Sequence, residues 1–242
     1  MEKSIYRCGA VVLAAGAGKR MKTDKKKQFL EIYGKPIIYY SLKAFQESFA
    51  DEIVLVVSEE DAAFCQKEIV EKYGFTKVTK IAIGGKERYH SVAAGLAHLS
   101  GCDYVFIHDG ARPMLTEDIL NRAYETVKEQ GACVVGMPVK DTIKIADENG
   151  FIATTPNRNL VWTVQTPQVF SYSLIKEAYD ELLIREEELK KEGVNITDDA
   201  MVVETLKNKS VKLVEGSYEN IKITTPDDLH SAMAYLKNPS EG

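Results

Sequence analysis

The feature that most constrains the fold is a regular alternation of short apolar runs with amphipathic stretches. The apolar runs of the first half read as buried strands at Cys8–Ala14, Glu52–Val57, Val78–Ile83 and Tyr104–Ile107. The stretches between and after them have helical periodicity at Ile37–Ser48, Asp61–Tyr73, Tyr89–Leu99 and Glu117–Gln130. Strands and helices that take turns in this way are typical of a parallel sheet covered on both faces. We therefore expect an α/β fold, a Rossmann-like, doubly wound and mostly parallel sheet.

The alternation is interrupted after a further strand predicted at Ala132–Met137. Two short β patterns, Thr142–Ala146 and Phe151–Thr154, flank the sequence DENG at Asp147–Gly150. An Asn-Gly pair favours a type I′ turn, so this region is predicted to be a β-hairpin. We expect roughly residues 139–165 to form an arm that projects from a single domain spanning residues 1–242.

The α/β pattern resumes after the arm. A long, highly charged helix is predicted from Ser171 to about Glu192, followed by a helix at Asp198–Leu206, a strand at Val211–Val214 and a last helix from about Pro226. Thr116, Thr197 and Thr225 precede three of the predicted helices, where a hydroxyl can accept hydrogen bonds from the first backbone N–H groups. The polar residues Asn220, Lys222 and Thr224 are expected at the end of a late strand.

Composition excludes several classes of function. A formal net charge of −5 and a pI near 5.5 argue against a general affinity for nucleic acid. No apolar run approaches the roughly 20 residues that a membrane-spanning helix needs, so no membrane association is expected. The four cysteines are scattered and show no metal-binding spacing, which favours reduced thiols in a cytoplasmic protein.

Polar and glycine-rich segments follow the predicted strands, where ligands bind in doubly wound sheets. They are AAGAGKRM, GGKERYHS, HDGARP and PVKDTIK. The first lacks the third glycine of a dinucleotide fingerprint and the Ser or Thr of a Walker A loop. Its glycines and cations can surround a polyphosphate, although a glycine turn with a solvated basic loop is the structural alternative.

The remaining polar residues suggest electrostatic chemistry. Arg88 and Ser91 lie at the start of a helix, and Asp109 and Arg112 either bind a ligand or pair with each other. His90 has no metal-like partner and is expected to be structural or exposed. Asp109 alone is an incomplete metal site, so no metal cage built by the protein is predicted. No Ser/His/Asp or Cys/His pairing stands out, and several cations are predicted to converge on phosphate.

Seven segments in order resemble the 2-C-methyl-D-erythritol 4-phosphate cytidylyltransferases of the non-mevalonate isoprenoid pathway. They are LAAGAGKRM with KQF, GGKERYHSV, HDGARP, PVKDTIK, NRNLVWTVQTPQ, TDDA and EGSYENIKITTPDDL, and the match extends over nearly the whole chain. The resemblance implies that CTP and methylerythritol phosphate react to give the cytidine diphosphate alcohol and pyrophosphate. It also implies Mg²⁺ as cofactor, held mainly by the CTP phosphates.

The resemblance implies roles for individual residues. Arg20 and Lys27 would stabilise charge in the transition state, while Arg158 and Lys222 would orient the acceptor for attack. Nucleotide contacts would come from Ala14, Ala15, Gly16, Gly18, Gly85, Arg88 and Ser91. Other substrate contacts would come from Asp109, Arg112, Thr142 and Thr166. The neighbouring cations Lys19, Lys22, Lys25 and Lys26 are expected to form a solvated fringe.

The resemblance further implies a homodimer in which the arm reaches across to the partner. Thr142 and Arg158 would then serve the neighbour's active site. Three rival functions remain open: a ribitol 5-phosphate cytidylyltransferase, a non-catalytic nucleotide-binding regulator, and an NAD-dependent Rossmann enzyme.

Overall fold

The computed structural model describes residues 6–16 and 26–236 of the chain. Its strands are β1 Cys8–Leu13, β2 Glu31–Ile32, β3 Lys35–Pro36, β4 Glu52–Val57, β5 Val78–Ile83, β6 Tyr104–Asp109, β7 Ala132–Pro138, β8 Ile145–Ala146, β9 Ile152–Thr154, β10 Trp162–Ser171 and β11 Lys212–Glu215. Its α-helices are α1 Ile37–Glu47, α2 Ala62–Phe64, α3 Arg88–Leu96, α4 Glu117–Gln130, α5 Tyr172–Lys191, α6 Asp199–Lys207 and α7 Pro226–Tyr235. Within these ranges no helix is both long and apolar enough to cross a membrane.

In the described part of the chain, seven strands form one sheet in the order β11-β7-β10-β6-β1-β4-β5. Strand β1 runs parallel to β4 and β6, β4 runs parallel to β5, and β11 runs parallel to β7. Only β10 runs against its neighbours, between β6 and β7. The prediction of a mostly parallel α/β sheet is confirmed, and the carboxyl ends of six strands meet at one edge.

Helices cover both faces of this sheet. On one face, α1 and α4 bury side chains such as Phe45 and Leu120 against β1 residues that include Val12. On the other face, α3, α5 and α6 bury side chains such as Leu96 and Tyr179 around Val11. Val11 and Val12 thus point into different cores, as the alternation of side chains along a strand requires. The doubly wound arrangement fits central strands that are largely apolar on both faces.

Strand β10 is the strand of the central sheet that the sequence did not predict. Its segment WTVQTPQVFS mixes polar residues and a proline with apolar ones, so it lacks the continuous apolar run of the other central strands. Its ladder with β7 is interrupted between Val164 and Gln168, where three polar or proline residues fall. Residues 162–165, which were assigned to the arm, therefore belong to a strand of the central sheet.

The arm is a hairpin, but its turn differs from the predicted one. Strands β8 and β9 pair in antiparallel fashion, and the Asp147 and Phe151 backbones are hydrogen bonded at 2.8 Å. Gly150 is left-handed, with φ of 83°, whereas Asn149 is not among the residues with positive φ. A type I′ turn needs positive φ at both central residues, so the structure has a three-residue loop closed by a left-handed glycine. The Asp147 carboxylate stabilises this loop by accepting from Asn149 and Phe151 N–H groups.

Three smaller expectations are also corrected. Asp198, not Thr197, caps α6, because its carboxylate accepts from the Met201 N–H at 2.9 Å. The late strand ends at Glu215, so residues 220–224 form an irregular segment beyond it. The region predicted as a helix at Asp61–Tyr73 continues from α2 into a π-helix at Cys65–Glu71.

Candidate active site

A cavity of about 360 Å³ lies at the carboxyl edge of the sheet. Its walls come from the segments that follow β1, β5 and β6, from residues 27–28, and from the irregular segment after β11. The lining residues are Leu13, Ala14, Ala15, Gly16, Lys27, Gln28, Gly85, Lys86, Glu87, Arg88, Ser91, Asp109, Ala111 and Lys222. Nine predicted site residues from distant parts of the sequence, Lys27 among them, therefore line one cavity.

The Asp109 carboxylate lies at the centre of a cation cluster. Its oxygens are 2.8 Å from Lys222 Nζ, 3.6 Å from Arg88 Nε and 3.8 Å from Arg112 Nε. Burial favours the protonated acid, but the attraction of Arg88, Lys222 and Arg112 outweighs it and holds the pKa of Asp109 well below its usual range. Even with Asp199, which also binds Arg88, the cluster has three cations and two carboxylates, so it retains positive charge for an anionic ligand.

Arg88 is fixed by an acid that the sequence interpretation did not place in the site. Asp199 has no exposed surface and accepts from both terminal nitrogens of Arg88 at 2.7 Å. The Tyr179 hydroxyl donates to the same carboxylate at 2.5 Å. Burial and the adjacent Asp199 raise the pKa of Tyr179 well above its ordinary value. Two adjacent acids after a threonine indicated a helix N-terminus, and only the tertiary structure shows that the second one pairs with Arg88.

Glycines allow two loops to approach closely at the cavity wall. A Cβ atom on Gly84 would lie 2.5 Å from the Ala15 Cβ, and one on Gly85 would lie 2.4 Å from the His90 Cβ. Contacts that short do not occur between real side chains, so both positions require glycine. The Gly85 N–H donates to the Ser91 hydroxyl at 3.2 Å, which ties this loop to α3. The predicted residues Ala15, Gly85 and Ser91 thus form one surface.

His90 is structural, as expected. Its Nδ1 accepts from the Glu87 N–H at 3.2 Å, and its Nε2 lies 3.0 Å from Glu186. The first contact is part of a capping box at the start of α3. The second joins α3 to α5. His90 therefore stabilises the helix that carries Arg88 and Ser91, and it is not part of the cavity lining.

Residues 26–28 contact three different segments of the chain. Lys27 lines the cavity, and its Nζ donates to the Ile223 carbonyl at 3.0 Å. The buried Gln28 donates to the Ala14 carbonyl at 2.7 Å. Lys26 Nζ bonds to Ser58, Glu60 and Asp61. The expectation that Lys26 belongs to a solvated fringe is therefore wrong.

Thr166 lies beneath Asp109, at the interruption of the β10 ladder. Its hydroxyl accepts from the Asp109 N–H and contacts His108 Nδ1, both at 3.0 Å. His108 Nε2 in turn faces the Arg112 carbonyl at 3.2 Å. The Asn220 side-chain amide donates to the Thr166 backbone carbonyl at 3.0 Å, and the Asn220 backbone carbonyl accepts from Arg112. Thr166 thus fixes the Asp109 backbone directly and reaches Arg112 through Asn220.

The structure separates the other predicted residues from the cavity. Thr142 and Arg158 lie on the arm, where Arg158 donates to the Lys140 carbonyl at 3.1 Å. Neither residue is part of the cavity lining. Gly18, Arg20 and the fringe residues Lys19, Lys22 and Lys25 lie outside the described residues.

The fold and this edge of the sheet, with its glycine loops and cations, are typical of α/β proteins that bind phosphorylated ligands. The model of the 2-C-methyl-D-erythritol 4-phosphate cytidylyltransferase family matches residues 8–238. The chain therefore belongs to this family, whose members are nucleotidyltransferases, and it is an enzyme of that kind.

Relatives and solved structures agree with this assignment. The chain is 52% identical over 229 residues to a 2-C-methyl-D-erythritol 4-phosphate cytidylyltransferase of Lachnospira eligens, covering 94% of this chain and 98% of that protein. It is 48% identical over 228 residues to the protein of the same name from Lachnoclostridium phytofermentans, covering 94% and 95%. The crystal structure of 4-diphosphocytidyl-2C-methyl-D-erythritol synthase from Anaerococcus prevotii superposes with a TM-score of 0.82 at 32% identity, covering 96% of each chain.

Proposed function

We propose that this enzyme transfers CMP from CTP to 2-C-methyl-D-erythritol 4-phosphate, giving 4-diphosphocytidyl-2-C-methyl-D-erythritol and pyrophosphate in isoprenoid precursor synthesis. Family membership over residues 8–238 supports the reaction. The observation that carries the site assignment is the cavity at the carboxyl edge of the sheet, where Arg88 and Lys222 lie against the Asp109 carboxylate and Lys27 lines the wall. Both substrates are anions, and a locally cationic cavity on an acidic chain fits them.

The proposed chemistry is an in-line displacement. A phosphate oxygen of the acceptor attacks the α-phosphorus of CTP, and the bond from that phosphorus to the pyrophosphate oxygen breaks. Negative charge grows on the five-coordinate phosphorus and on the leaving pyrophosphate. Lys27, on the cavity wall, is proposed to stabilise that charge together with Arg20; such a donor is worth about 3–4 kcal/mol. No general base is needed, because a phosphate monoester is already mostly ionised near neutral pH.

Mg²⁺ is proposed as a cofactor carried chiefly by the CTP phosphates. Among the described residues, no group of three or more His, Cys, Asp and Glu side chains is placed to hold a metal ion. Asp109 lines the cavity, but three cations already surround it. This donor set fits a metal that would be held mainly by the CTP phosphates and would keep several waters, with Asp109 as a carboxylate of the cavity lining. The ion would neutralise phosphate charge.

The acceptor site is proposed to form between two copies of the chain. Thr142 and Arg158 lie on the arm, outside the cavity of their own chain, and are proposed to complete the site of the partner. Arm residues expose large apolar side chains, with Leu160 78% and Phe151 72% exposed. A two-stranded hairpin is marginal in water, so a partner surface that covers these side chains would stabilise it. A homodimer joined through the arm meets both requirements.

The assay that tests the reaction offers CTP with each of two polyol phosphates. We expect pyrophosphate release with methylerythritol phosphate and far less with ribitol 5-phosphate. A preference for ribitol 5-phosphate would contradict the proposed acceptor. CTP binding without turnover on either acceptor would favour the regulator instead. All four cysteines are buried and free of disulfides, which fits the proposed cytoplasmic location.

A further inference from the structure

The segment 26–28 holds a proposed catalytic lysine between two residues that point elsewhere. Lys26 reaches the segment after β4, Lys27 reaches the cavity, and Gln28 reaches the loop after β1. Lys26 is also the residue immediately before the one-turn 3₁₀-helix Lys27–Phe29, and its carbonyl accepts from the Phe29 N–H at 2.9 Å. Movement of Lys26 therefore moves the backbone that carries Lys27.

The side chain of Lys26 is hydrogen bonded to the segment 58–61. Its Nζ donates to the Ser58 hydroxyl at 2.8 Å and to Asp61 at 2.7 Å, and it also contacts Glu60. Ser58 donates to the same Asp61 carboxylate at 2.6 Å. The Lys26 side chain is 20% exposed and that of Asp61 is 15% exposed. A partly buried, shared contact of this kind differs from exposed ion pairs, which contribute little.

The apolar packing of the one-turn helix fixes the same pair of segments at a second point. Phe29 is buried, and its ring packs edge-on against Phe64 with 5.1 Å between centroids. Phe64 lies only three residues beyond Asp61 along the chain. Lys26 and Phe29 thus flank Lys27 and attach it on both sides to residues 58–64, while Lys27 itself points towards the cavity.

We infer that Lys26 is a positioning residue, whose bonds to Ser58 and Asp61 hold the Lys27 ammonium at the cavity wall. The inference rests on the proposed catalytic role of Lys27. It explains why one lysine of the run Lys25–Lys27 lines the cavity while its neighbour is bound to an acid. Because the effect is on placement of a group that acts in the transition state, loss of the contact lowers kcat and leaves ground-state binding of CTP nearly unchanged.

The test compares steady-state kinetics of single variants, with kcat normalised to the folded fraction measured by circular dichroism. Lys26→Met is expected to lower kcat about tenfold, with the KM for CTP changed by less than about twofold. Lys26→Arg, which keeps the charge, is expected to restore most of the loss. Asp61→Ala removes the contact from the other side, so it gives a second measurement if Lys26→Met folds poorly. The double variant is expected to lose no more than the larger single loss, since both changes break one interaction.

Two reference variants make the outcomes distinguishable. Lys128→Met removes another paired lysine, 2.6 Å from Glu125 on α4 and away from the cavity, and is expected to leave kcat unchanged. Lys27→Ala is expected to lose more activity than Lys26→Met. An unchanged kcat for Lys26→Met, or a change confined to the KM for CTP, overturns the inference. If Lys27→Ala still lowers kcat in that case, the proposed function stands. An unchanged kcat for Lys27→Ala instead removes the catalytic assignment of Lys27.

Discussion

The cations of the cavity and of the arm differ in how firmly their own chain holds them. Around the cavity, Arg88 is bound by a fully buried carboxylate and Lys222 lies against Asp109. On the arm, Arg158 is exposed and its guanidinium donates to the backbone carbonyl of Lys140. The cavity cations are positioned by their own chain before a ligand arrives. The arm presents its cation at the surface, which suits a residue that acts on another molecule.

The largest difference between the two regions is expected in folding stability. Asp199→Asn leaves Arg88 and Tyr179 without their shared carboxylate inside the protein. Breaking a buried ion pair on one side costs about 3–5 kcal/mol. The measurement is the free energy of unfolding from urea titrations. Asp180→Asn, which breaks an exposed pair with Lys176, is the matched control and is expected to cost less than about 1 kcal/mol. Equal effects of the two variants would contradict the distinction.

The arm is expected to act on the neighbouring chain. Arg158→Ala should lower kcat/KM for the acceptor about 100-fold, because it removes a cation that is proposed to bind the acceptor phosphate. Mixing it with Lys27→Ala protomers should restore part of the activity, because one of the two sites in a mixed dimer then has both residues. The measurement is pyrophosphate release as a function of mixing ratio. Failure to recover activity in verified mixed dimers would mean that each site is built from one chain.

The buried network beneath the cavity is expected to weaken in acid. Burial lowers the pKa of His108 to about 4, from the model peptide value of 6.5. The unfolded chain therefore binds a proton that the folded chain does not, and stability falls as the pH drops from about 6.5 towards 4. At pH 5 this amounts to about 2 kcal/mol relative to pH 7. Urea titrations at both pH values measure the loss, and an imidazole NMR resonance of His108 that titrates near pH 6.5 would contradict it.

The smallest effect is expected from one apolar residue of the arm. Leu160→Asp should weaken the proposed dimer about tenfold, close to 1.4 kcal/mol, because a charge replaces a side chain that the partner would cover. Sedimentation velocity at several concentrations measures this shift. Ile184→Asp changes a residue of α5 that is 85% exposed, and it serves as the control. Dissociation caused equally by both variants would place the interface elsewhere.

The sequence predicted most of the fold because most of its central strands are short and largely apolar. Strands β4 and β5 and helix α4 with its Thr116 cap match the structure. Strand β10 was missed because its sequence contains polar residues and a proline. Its strand conformation depends on pairing with the neighbouring strands β6 and β7. For the site, order along the chain indicated which loops meet, since strand ends share an edge. The pairing of Asp199 with Arg88, 111 residues apart, depends on how α5 and α6 pack, which local sequence does not record.

The register of β7 with β10 has a consequence for engineering. Pro138 pairs with Trp162, and the Val139 N–H donates to the Val161 carbonyl at 3.0 Å. The chain therefore leaves the sheet and re-enters it at adjacent positions. Residues 140–160 form a replaceable cassette whose ends already lie side by side, as at sites that accept inserted or exchanged segments. Arms from related enzymes could be grafted here without altering the connectivity of the sheet.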